Sequence, residues 1–487
     1  MTRRLAILYF MFVALFPLTA RSTRAQAPPS GAASAAVATA PGAGLPQNSF
    51  SGSVPAKLEP GVLQLSLKDA LARGLKQNLG LLLSSEDVRT ARGGRWQMLS
   101  SLLPNLTTSS YVNGSQVDLA EFGFSFKLPP SAGFTIPSVV GPFGYFDSRA
   151  YLTQSILDWK AINNLHATSE NLKSSQATYK DARDLVILSV GYTYLQTIAD
   201  EARVETVDAQ VNTAQTLYDQ ASDQVKAGTS PGIDGLRAQV ELKTRQQQLI
   251  QAKNDFAIEK LTLGRVIGLA PGQQFEIADK SPYEPFAGMT VQDALRRAYA
   301  SRSDFQAALA DVRSAEYSRK AAAAGYLPSF SVSADYGVAG TIPSVATHGV
   351  FDARGTLTVP IFQGGRVHGD ILEADARLEQ GRQRLENLRA QVDADVRTAL
   401  LNVESGEEQV AVAQSNIDLA EQTLVQARDR FRAGVTDTVE VVQAQEAVAS
   451  AHENYISSLY QDNYAKISLA RALGLAEEGV KEYFKGN

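Results

Sequence analysis

Apolar residues recur every seven positions along two long stretches of the chain, about Trp159 to Ala227 and about Arg366 to Ala433. A column of mostly bulky residues runs beside a column of mostly smaller ones, which is the a/d pattern of a coiled coil. As helices these stretches would each extend roughly 100 Å, at ~1.5 Å per residue. In the second stretch the bulky column is Val396, Val403, Val410, Ile417, Leu424 and Phe431, and the smaller column includes Val392, Ala399, Gly406, Ala413, Ala420 and Ala427.

Two pairs of shorter stretches alternate apolar and polar residues, which is the period of a β-strand with two different faces. The alternation predicts strands at about 105–118, 146–157, 329–338 and 351–362. In the last of these, Phe351, Leu357 and Ile361 fall on one face, and Asp352 and Arg354 fall on the other. We therefore expect a sheet with one apolar and one charged face, whose longer connections are the segments 119–145 and 340–349.

Both patterns occur twice because the ordered part of the chain is a duplication. LKDAL at residue 67 recurs as VQDAL at residue 291, and FDSRAYLTQSI at residue 146 recurs as FDARGTLTVPI at residue 351. VKAGTSPGIDGLRAQ at residue 225 recurs as FRAGVTDTVEVVQAQ at residue 431. Each copy reads helix, strand, strand, long helix, reversing turn and helix, so we predict structural repeats at 61–270 and 291–476 with a linker at 271–290.

The two ends of the chain differ in composition from the repeats. An apolar run from Leu5 to about Leu18 follows two arginines, and it is shorter than the ~20 residues that a membrane-spanning helix needs. We therefore predict a signal peptide at 1–27, with cleavage after Ala25 or after Ala27. Residues 28–60, rich in Ala, Pro and Gly, predict a flexible lead-in, and residues 477–487 a C-terminal tail.

Composition excludes several kinds of function. The net charge of −5 and the lack of a basic run interleaved with aromatic residues argue against nucleic acid as a partner. The chain has no cysteine, which excludes disulfides, thiolate metal sites and a lipid anchor on an N-terminal cysteine. The four histidines are scattered without ligand spacing, and no catalytic or phosphate-binding motif is present. We expect neither an enzyme nor a bound cofactor.

The two-faced strands fit a membrane barrel whose apolar face meets lipid and whose polar face meets water. After the N-terminal run no stretch reaches 18 consecutive apolar residues, so this chain would enter a membrane only with strands. Four strands cannot close around a channel, and open sheet edges are not tolerated in lipid. Several chains must therefore share one barrel.

At this point the chain resembles the TolC-like outer membrane efflux proteins of bacteria. The resemblance covers about residues 63–476 and is most specific at VPIFQGGRVHGDI, residues 359–371, and at FRAGVTDTVEVVQAQ. It implies a homotrimer in the outer membrane, with a 12-stranded β-barrel and a periplasmic α-helical tunnel of paired coiled coils. It also implies two protein partners, a periplasmic adaptor (membrane fusion) protein and an inner-membrane pump.

The resemblance further implies which residues carry the function. In the family the helix-reversing turns form the inner tip of the tunnel and meet the adaptor. That places Lys226, Gly228, Thr229, Arg432, Gly434, Val435 and Thr436 at this contact. Gly228 and Gly434 are also expected to cap the long helices in the left-handed conformation.

Acidic residues narrow the family's tunnel at the start of the returning helix, which here corresponds to Glu440 and Asp234. Three copies of Glu440 would form a ring that favours cations, although a carboxylate at a helix N-terminus also stabilises the helix. A second family carboxylate aligns with the neutral Gln443, and Asp437 is a candidate to compensate for it.

The function expected from these features is a passive trimeric exit duct for small molecules in a tripartite efflux system. An alternative with the same architecture is the exit duct of a type I protein secretion system. A periplasmic coiled-coil protein with a purely structural role is an alternative of another class, which the signal peptide and the alternating strands disfavour.

Overall fold

The computed structural model describes residues 50, 52–123, 137–279, 283–286, 288–342, 347–436, 438–477 and 479. The helices are α1 (Leu67–Gln77), α2 (Leu79–Ser100), α3 (Trp159–Lys226), α4 (Gly232–Val266), α5 (Val291–Ser301), α6 (Ser303–Ala323), α7 (Arg366–Arg432) and α8 (Thr438–Ala472). The strands are β1 (Leu63–Leu65), β2 (Asn105–Asp118), β3 (Val139–Leu157), β4 (Phe275–Ile277), β5 (Ser329–Ile342) and β6 (Thr347–Thr358).

The two long predicted helices are confirmed as α3 and α7, which contain 68 and 67 residues. Each ends one residue before the predicted boundary, because the next residue is already the C-cap. On α7 the whole bulky heptad column is buried, from Val396 to Phe431. On α3 the corresponding column is buried only in its first part, at Val190 and Thr197, and is half-buried from Val204 onward. Among the helices that the structure describes, none is long and apolar enough to cross a membrane.

The first helix of each copy is broken in two, which the sequence pattern did not predict. Asn78 and Arg302 both adopt extended backbone conformations between consecutive helices. Asn78 caps α2 by accepting a hydrogen bond from the Leu81 amide. Arg302 has no such cap, and its buried guanidinium instead pairs with Asp304 at 2.7 Å and with Asp395 at 2.9 Å. The duplicated break is therefore stabilised by different chemistry in the two copies.

The four longer strands form one antiparallel sheet in the order β2-β3-β5-β6. Its strands are longer than predicted at the hairpin ends, since β3 begins at Val139, β5 continues to Ile342 and β6 begins at Thr347. Part of each predicted connection is thus strand, and residues 119–122 form a 3-10 helix. The last strand ends at Thr358 instead of about 362, consistent with Pro360 offering no N–H to a neighbouring strand.

The sheet has the two faces that the alternation predicted. Tyr336 pairs with Phe351 and Phe330 with Leu357, and three of these side chains are more than 60% exposed: Tyr336, Phe351 and Leu357. The opposite face carries Arg149, which pairs with Asp147 of the same strand at 2.7 Å and with Asp335 of the neighbouring strand β5 at 3.0 Å. The outer strands β2 and β6 each pair on one side only within the described chain.

The lead-in and the linker are more ordered than the composition indicated. Strand β4 lies inside the predicted linker, at 275–277, and pairs in parallel with β1, residue Leu63 opposite Phe275. In the predicted lead-in, the Val54 amide donates to the Gln77 carbonyl at 2.8 Å and the Ala56 amide to the Gly268 carbonyl at 2.8 Å. Residues 54 and 56 are therefore hydrogen-bonded to the end of α1 and to Gly268, just after α4, while the flexibility of the lead-in as a whole stays a prediction.

Candidate functional site

The two helix-reversing turns have the same backbone geometry. Gly228 follows α3 with φ +71°, and Gly434 follows α7 with φ +69°. In the first turn the Gly228 amide donates to the Val225 carbonyl at 3.1 Å and the Thr229 amide to the Gln224 carbonyl at 2.9 Å. The second turn repeats both bonds one repeat later. This is the Schellman arrangement that satisfies the last carbonyls of a helix, so the predicted capping role of both glycines is confirmed.

A small apolar cluster fixes the turns relative to one another. It joins all four helices that enter and leave them, through Leu217 and Ala221 of α3, Ala238 of α4, Leu424, Ala427 and Phe431 of α7, and Val441 and Ala444 of α8. Alanine at four of these positions lets the helices approach closely. The close packing of these four helices therefore fixes the positions of the two turns.

Most of the residues predicted to meet an adaptor lie on the exposed surface of the turns. Lys226 pairs with Asp223 at 3.1 Å and Arg432 with Asp429 at 3.7 Å, both as solvent-exposed pairs within one helix. Val435 is 68% exposed. Of the predicted set, Lys226, Gly228, Thr229, Arg432, Gly434 and Val435 are exposed and Thr436 is half-buried.

Asp234 is the less accessible of the two predicted aperture carboxylates. It lies in the first turn of α4, and its side chain is 8% exposed. The Ser230 hydroxyl donates to its Oδ2 at 2.7 Å, and Arg237 Nη1 lies 3.6 Å from its Oδ1. Within one chain, Asp234 thus has the arrangement of a carboxylate that stabilises a helix N-terminus.

Glu440, the corresponding residue of the second copy, is more accessible, with a side chain 40% exposed. Arg430 Nε, from the last turns of α7, lies 3.3 Å from Glu440 Oε1. The Thr436 hydroxyl donates to Glu440 Oε2. The turn is therefore bridged from one helix to the next by a cation, and the acidic charge of Glu440 is partly compensated within its own chain.

The two remaining aperture candidates have different outcomes. Gln443 is exposed on the next turn of α8 after Glu440. Asp437 lies outside the described residues. The prediction of a second acidic position at this aperture therefore stays a prediction.

Three partners of the predicted aperture carboxylates were not predicted from the sequence: Arg430, Ser230 and Arg237. The available signal was the alternating run RDRFR at 428–432, which places Arg430 and Arg432 in the last turn of α7. Whether an arginine at that point reaches α8 depends on the helix phase across the turn. Periodicity along a single helix does not give that phase.

Farther from the turns, Arg245 links the two halves of the chain. It is 5% exposed, and its Nε donates to Glu241 Oε1 of the same helix at 2.7 Å. Its Nη2 lies 3.3 Å from Glu446 of α8. At the positions 206 residues later, Glu241 and Arg245 correspond to Ala447 and Ala451. This buried pair is therefore a feature of the first copy alone.

Two other groups of buried charges lie between the helices. Arg471 of α8 pairs with Asp181 of α3 and lies 3.9 Å from Asp304 of α6, and burial raises the pKa of the neighbouring Asp184 to about 6. Lys466 pairs with Asp462 at 2.8 Å, where the two side chains are 4% and 0% exposed. No three His, Asp or Glu side chains converge as a metal site in the described ranges.

Comparison with known proteins agrees with this architecture. The family described as "Outer membrane efflux protein" matches residues 86–269 and 294–475. The pyoverdine export outer membrane protein OpmQ of Pseudomonas putida is 21% identical over 68% of this chain and 70% of its own length. The alkaline protease secretion protein AprF of Pseudomonas aeruginosa is 22% identical over 70% of this chain and 72% of its own.

Among solved structures, the outer membrane protein VceC of Vibrio cholerae aligns with a TM-score of 0.71 and 18% identity, covering 84% of this chain and 96% of that one. Its fold is therefore shared over both repeats, helices and sheet together. The family match covers both copies of the duplicated unit and about three quarters of the chain. The chain belongs to the outer membrane efflux protein family.

Proposed function

We propose that three copies of this chain form a passive exit duct in the bacterial outer membrane, through which an inner-membrane pump expels small molecules. The observation that carries the proposal is the combination of a two-faced sheet with helices of roughly 100 Å, at ~1.5 Å per residue. The sheet exposes large apolar side chains on one face and lacks partners for its two outer strands in the described chain.

Lipid provides no hydrogen-bonding partner, so β2 and β6 require strands from neighbouring copies. Three copies of four strands give the number in the family barrel. With the polar face inward, Arg149, Asp147 and Asp335 would line water. The duct is proposed to be passive because no catalytic constellation was recognised in the sequence.

Glu440 is proposed to line the aperture at the helix-reversing turns. Its bond to Arg430 supports a closed arrangement in which the carboxylate is held within one chain. Release from Arg430 would leave three negative charges facing each other and attract cations. The proposed docking surface of the adaptor is the exposed part of the turns, around Thr229 and Val435.

Bilayer conductance of the purified trimer tests the aperture. Glu440→Gln should reduce cation selectivity, and Arg430→Gln should increase block by divalent cations because it frees the carboxylate. Glu404→Gln is the matched control, since Glu404 is an exposed carboxylate on α7 far from the turn. Equal selectivity and block in all four proteins would remove Glu440 from the aperture.

Cross-linking tests the docking surface. Because the chain has no natural cysteine, an introduced cysteine is its single reactive thiol. Thr229→Cys and Val435→Cys are better sites than the neighbouring glycines, whose positive φ disfavours any side chain. We expect capture of a periplasmic protein in intact cells from both positions. Leu401→Cys, at an exposed position of α7, is the comparison. Failure to capture a protein from either turn position would count against docking there.

A protein-secretion duct is the second candidate, and the match to AprF favours it. Deletion of the gene separates the two functions. Sensitivity to small toxic molecules supports efflux, whereas loss of a secreted protein from the medium with unchanged sensitivity supports secretion.

A further inference from the structure

A groove of about 530 Å³ lies among α3, α4, α7 and α8, beside the apolar cluster of the turns, whose Leu424 also forms part of its wall. Its walls combine apolar and polar side chains, including Ala209, Leu424, Val425, Arg428, Gln445 and Val448. The volume is in the range of small-molecule sites. None of these residues belongs to the aperture or to the proposed docking surface.

Gln445 is the first sign that the groove holds a ligand. It is 7% exposed, and neither its amide nitrogen nor its amide oxygen has a hydrogen-bond partner among the described residues. An unsatisfied buried amide destabilises the folded state, and such a group calls for an explanation. Its counterpart in the first copy, Gln239, is exposed. Of the two corresponding amides, only the one in the second copy, at the groove, is therefore buried.

Arg428 is the second sign. It is half-buried, and in the described part of the chain it has neither an ion pair nor a hydrogen bond, unlike Arg430 and Arg432, which follow it on the same helix. Burial and the nearby Arg432 charge lower the pKa of Arg428. The corresponding position of the first copy is Ser222. An arginine is an ordinary partner for a carboxylate, which it can bind with two parallel hydrogen bonds.

The other charged groups of the groove leave Arg428 uncompensated. Glu241 is paired with Arg245 at 2.7 Å, and Glu421 lies 3.4 Å from His452. Glu205, on α3, is exposed. Since none of these carboxylates pairs with Arg428, no carboxylate among the described residues occupies the position in front of it.

We propose that this groove binds a small organic carboxylate with an apolar body. The carboxylate pairs with Arg428, a polar atom of the ligand meets the amide of Gln445, and the hydrocarbon part lies against Leu424, Val425 and Val448. The site would let an anionic metabolite bind the helices close to the turns. Binding at this site does not require transport, and it can be measured on the purified protein.

Titration of the intact protein in a non-ionic detergent tests the site, with 4-phenylbutyrate as the probe and calorimetry as the readout. The neutral alcohol 4-phenylbutan-1-ol, with the same carbon skeleton, should bind at least about tenfold more weakly. Arg428→Gln should weaken binding of the acid by about the same factor and leave binding of the alcohol unchanged. Arg384→Gln, at an exposed arginine of α7 far from the groove, is the matched control and should bind the acid normally.

Gln445→Met supplies a second, independent variant, since it keeps the volume of the side chain and removes the amide. It should weaken binding of the acid while raising thermal stability, because the orphaned amide is lost. Equal binding of acid and alcohol would overturn the proposal and leave an unspecific apolar groove. Unchanged affinity in Arg428→Gln, together with a weaker oligomer, would also overturn it and assign Arg428 to a contact between chains.

Discussion

Lys466 is a buried cation on which the stability of the second coiled coil depends. Its Nζ lies 2.8 Å from Asp462 Oδ2 and 3.8 Å from Glu407 Oε1, and it also donates to the backbone carbonyl of Glu284. Asp462 itself is fully buried and packs against Gly406, where a Cβ would lie 3.1 Å from the Asp462 Cα. The informative change is Lys466→Met, which keeps the length of the side chain and removes its charge.

The expected loss is about 3–5 kcal/mol, the range measured when one partner of a buried ion pair is removed. Two observations place this pair within that range. The side chains are 4% and 0% exposed, so water cannot replace the missing cation. Asp462 Oδ1 already lacks a hydrogen-bond partner in the described chain, which leaves the carboxylate with little other support.

The pH dependence of the free energy of unfolding of Lys466→Met shows whether the charge of Asp462 causes the loss. Burial raises the pKa of Asp462 even when Lys466 is present, and removal of Lys466 should raise that pKa further. Protonation then relieves the uncompensated charge. The loss in Lys466→Met should therefore be largest at neutral pH and become smaller as the pH falls through the raised pKa.

Denaturant titrations followed by far-ultraviolet circular dichroism measure this loss at neutral and mildly acidic pH. The double variant Lys466→Met, Asp462→Asn should recover at least half of the lost free energy at neutral pH, because no buried charge remains. Lys253→Met, which removes an exposed lysine, is the control. A double variant no more stable than Lys466→Met would refute the reasoning that the unpaired carboxylate causes the loss.

Two further predictions concern α1 to α3. Burial raises the pKa of Asp184 from 3.8 to about 6, so the native state binds a proton more readily than the unfolded chain and stability falls as the pH rises through this window. Asp184→Asn should therefore flatten the pH dependence of Tm and raise Tm at neutral pH, and an unchanged slope would contradict this. In Gly74→Ala the new Cβ would lie 2.6 Å from Val190 Cγ2, which should cost about 1–3 kcal/mol in denaturant titrations. Gly93→Ala meets nothing within 4 Å and should stabilise α2 by about 0.5–1 kcal/mol, so equal effects of the two substitutions would contradict the packing argument.

The long helices and the sheet faces were predictable because their signal is periodic and repeated. Heptad columns such as Val396 to Phe431 specify a helix face at every turn, and duplication provides the same pattern twice. The two glycine turns follow from the same reasoning. Helix ends were accurate because Gly228 and Gly434 mark them chemically.

The breaks at Asn78 and Arg302 were not predictable because their cause lies elsewhere in the chain. A Cβ on Gly474 would lie 2.6 Å from the Arg302 amide nitrogen, and a Cβ on Gly268 would lie 2.5 Å from Gln77 Cβ. At each break a glycine from the end of a repeat therefore packs closely against the end of a helix: Gly474 against the backbone at Arg302 and Gly268 against the side chain of Gln77. The sequence around each break does not indicate that a distant glycine packs there. Arg302 is also not a residue type that predicts a helix cap.

The candidate site was predictable in part. Position relative to the turn glycines identified Glu440 and Asp234 as residues of the returning helices. The bridge from Arg430 depends on which face of α7 meets α8, so the sequence alone did not indicate it, whereas the hydrogen bond from Ser230 to Asp234 is local and was missed. The groove at Arg428 and Gln445 was not recognised, because its residues come from four helices.

The parallel pairing of β1 with β4 has a consequence for the folding of this chain. Leu63 lies at the start of the first repeat and Phe275 in the linker that follows it, yet they are partners in one ladder. Parallel contacts between residues so far apart in sequence form slowly. This ladder should therefore be among the last elements to assemble. A chain cut in the linker before Phe275 would leave β1 without its partner, whereas a cut after Ile277 would keep both strands on one fragment, so β4 belongs structurally with the first repeat.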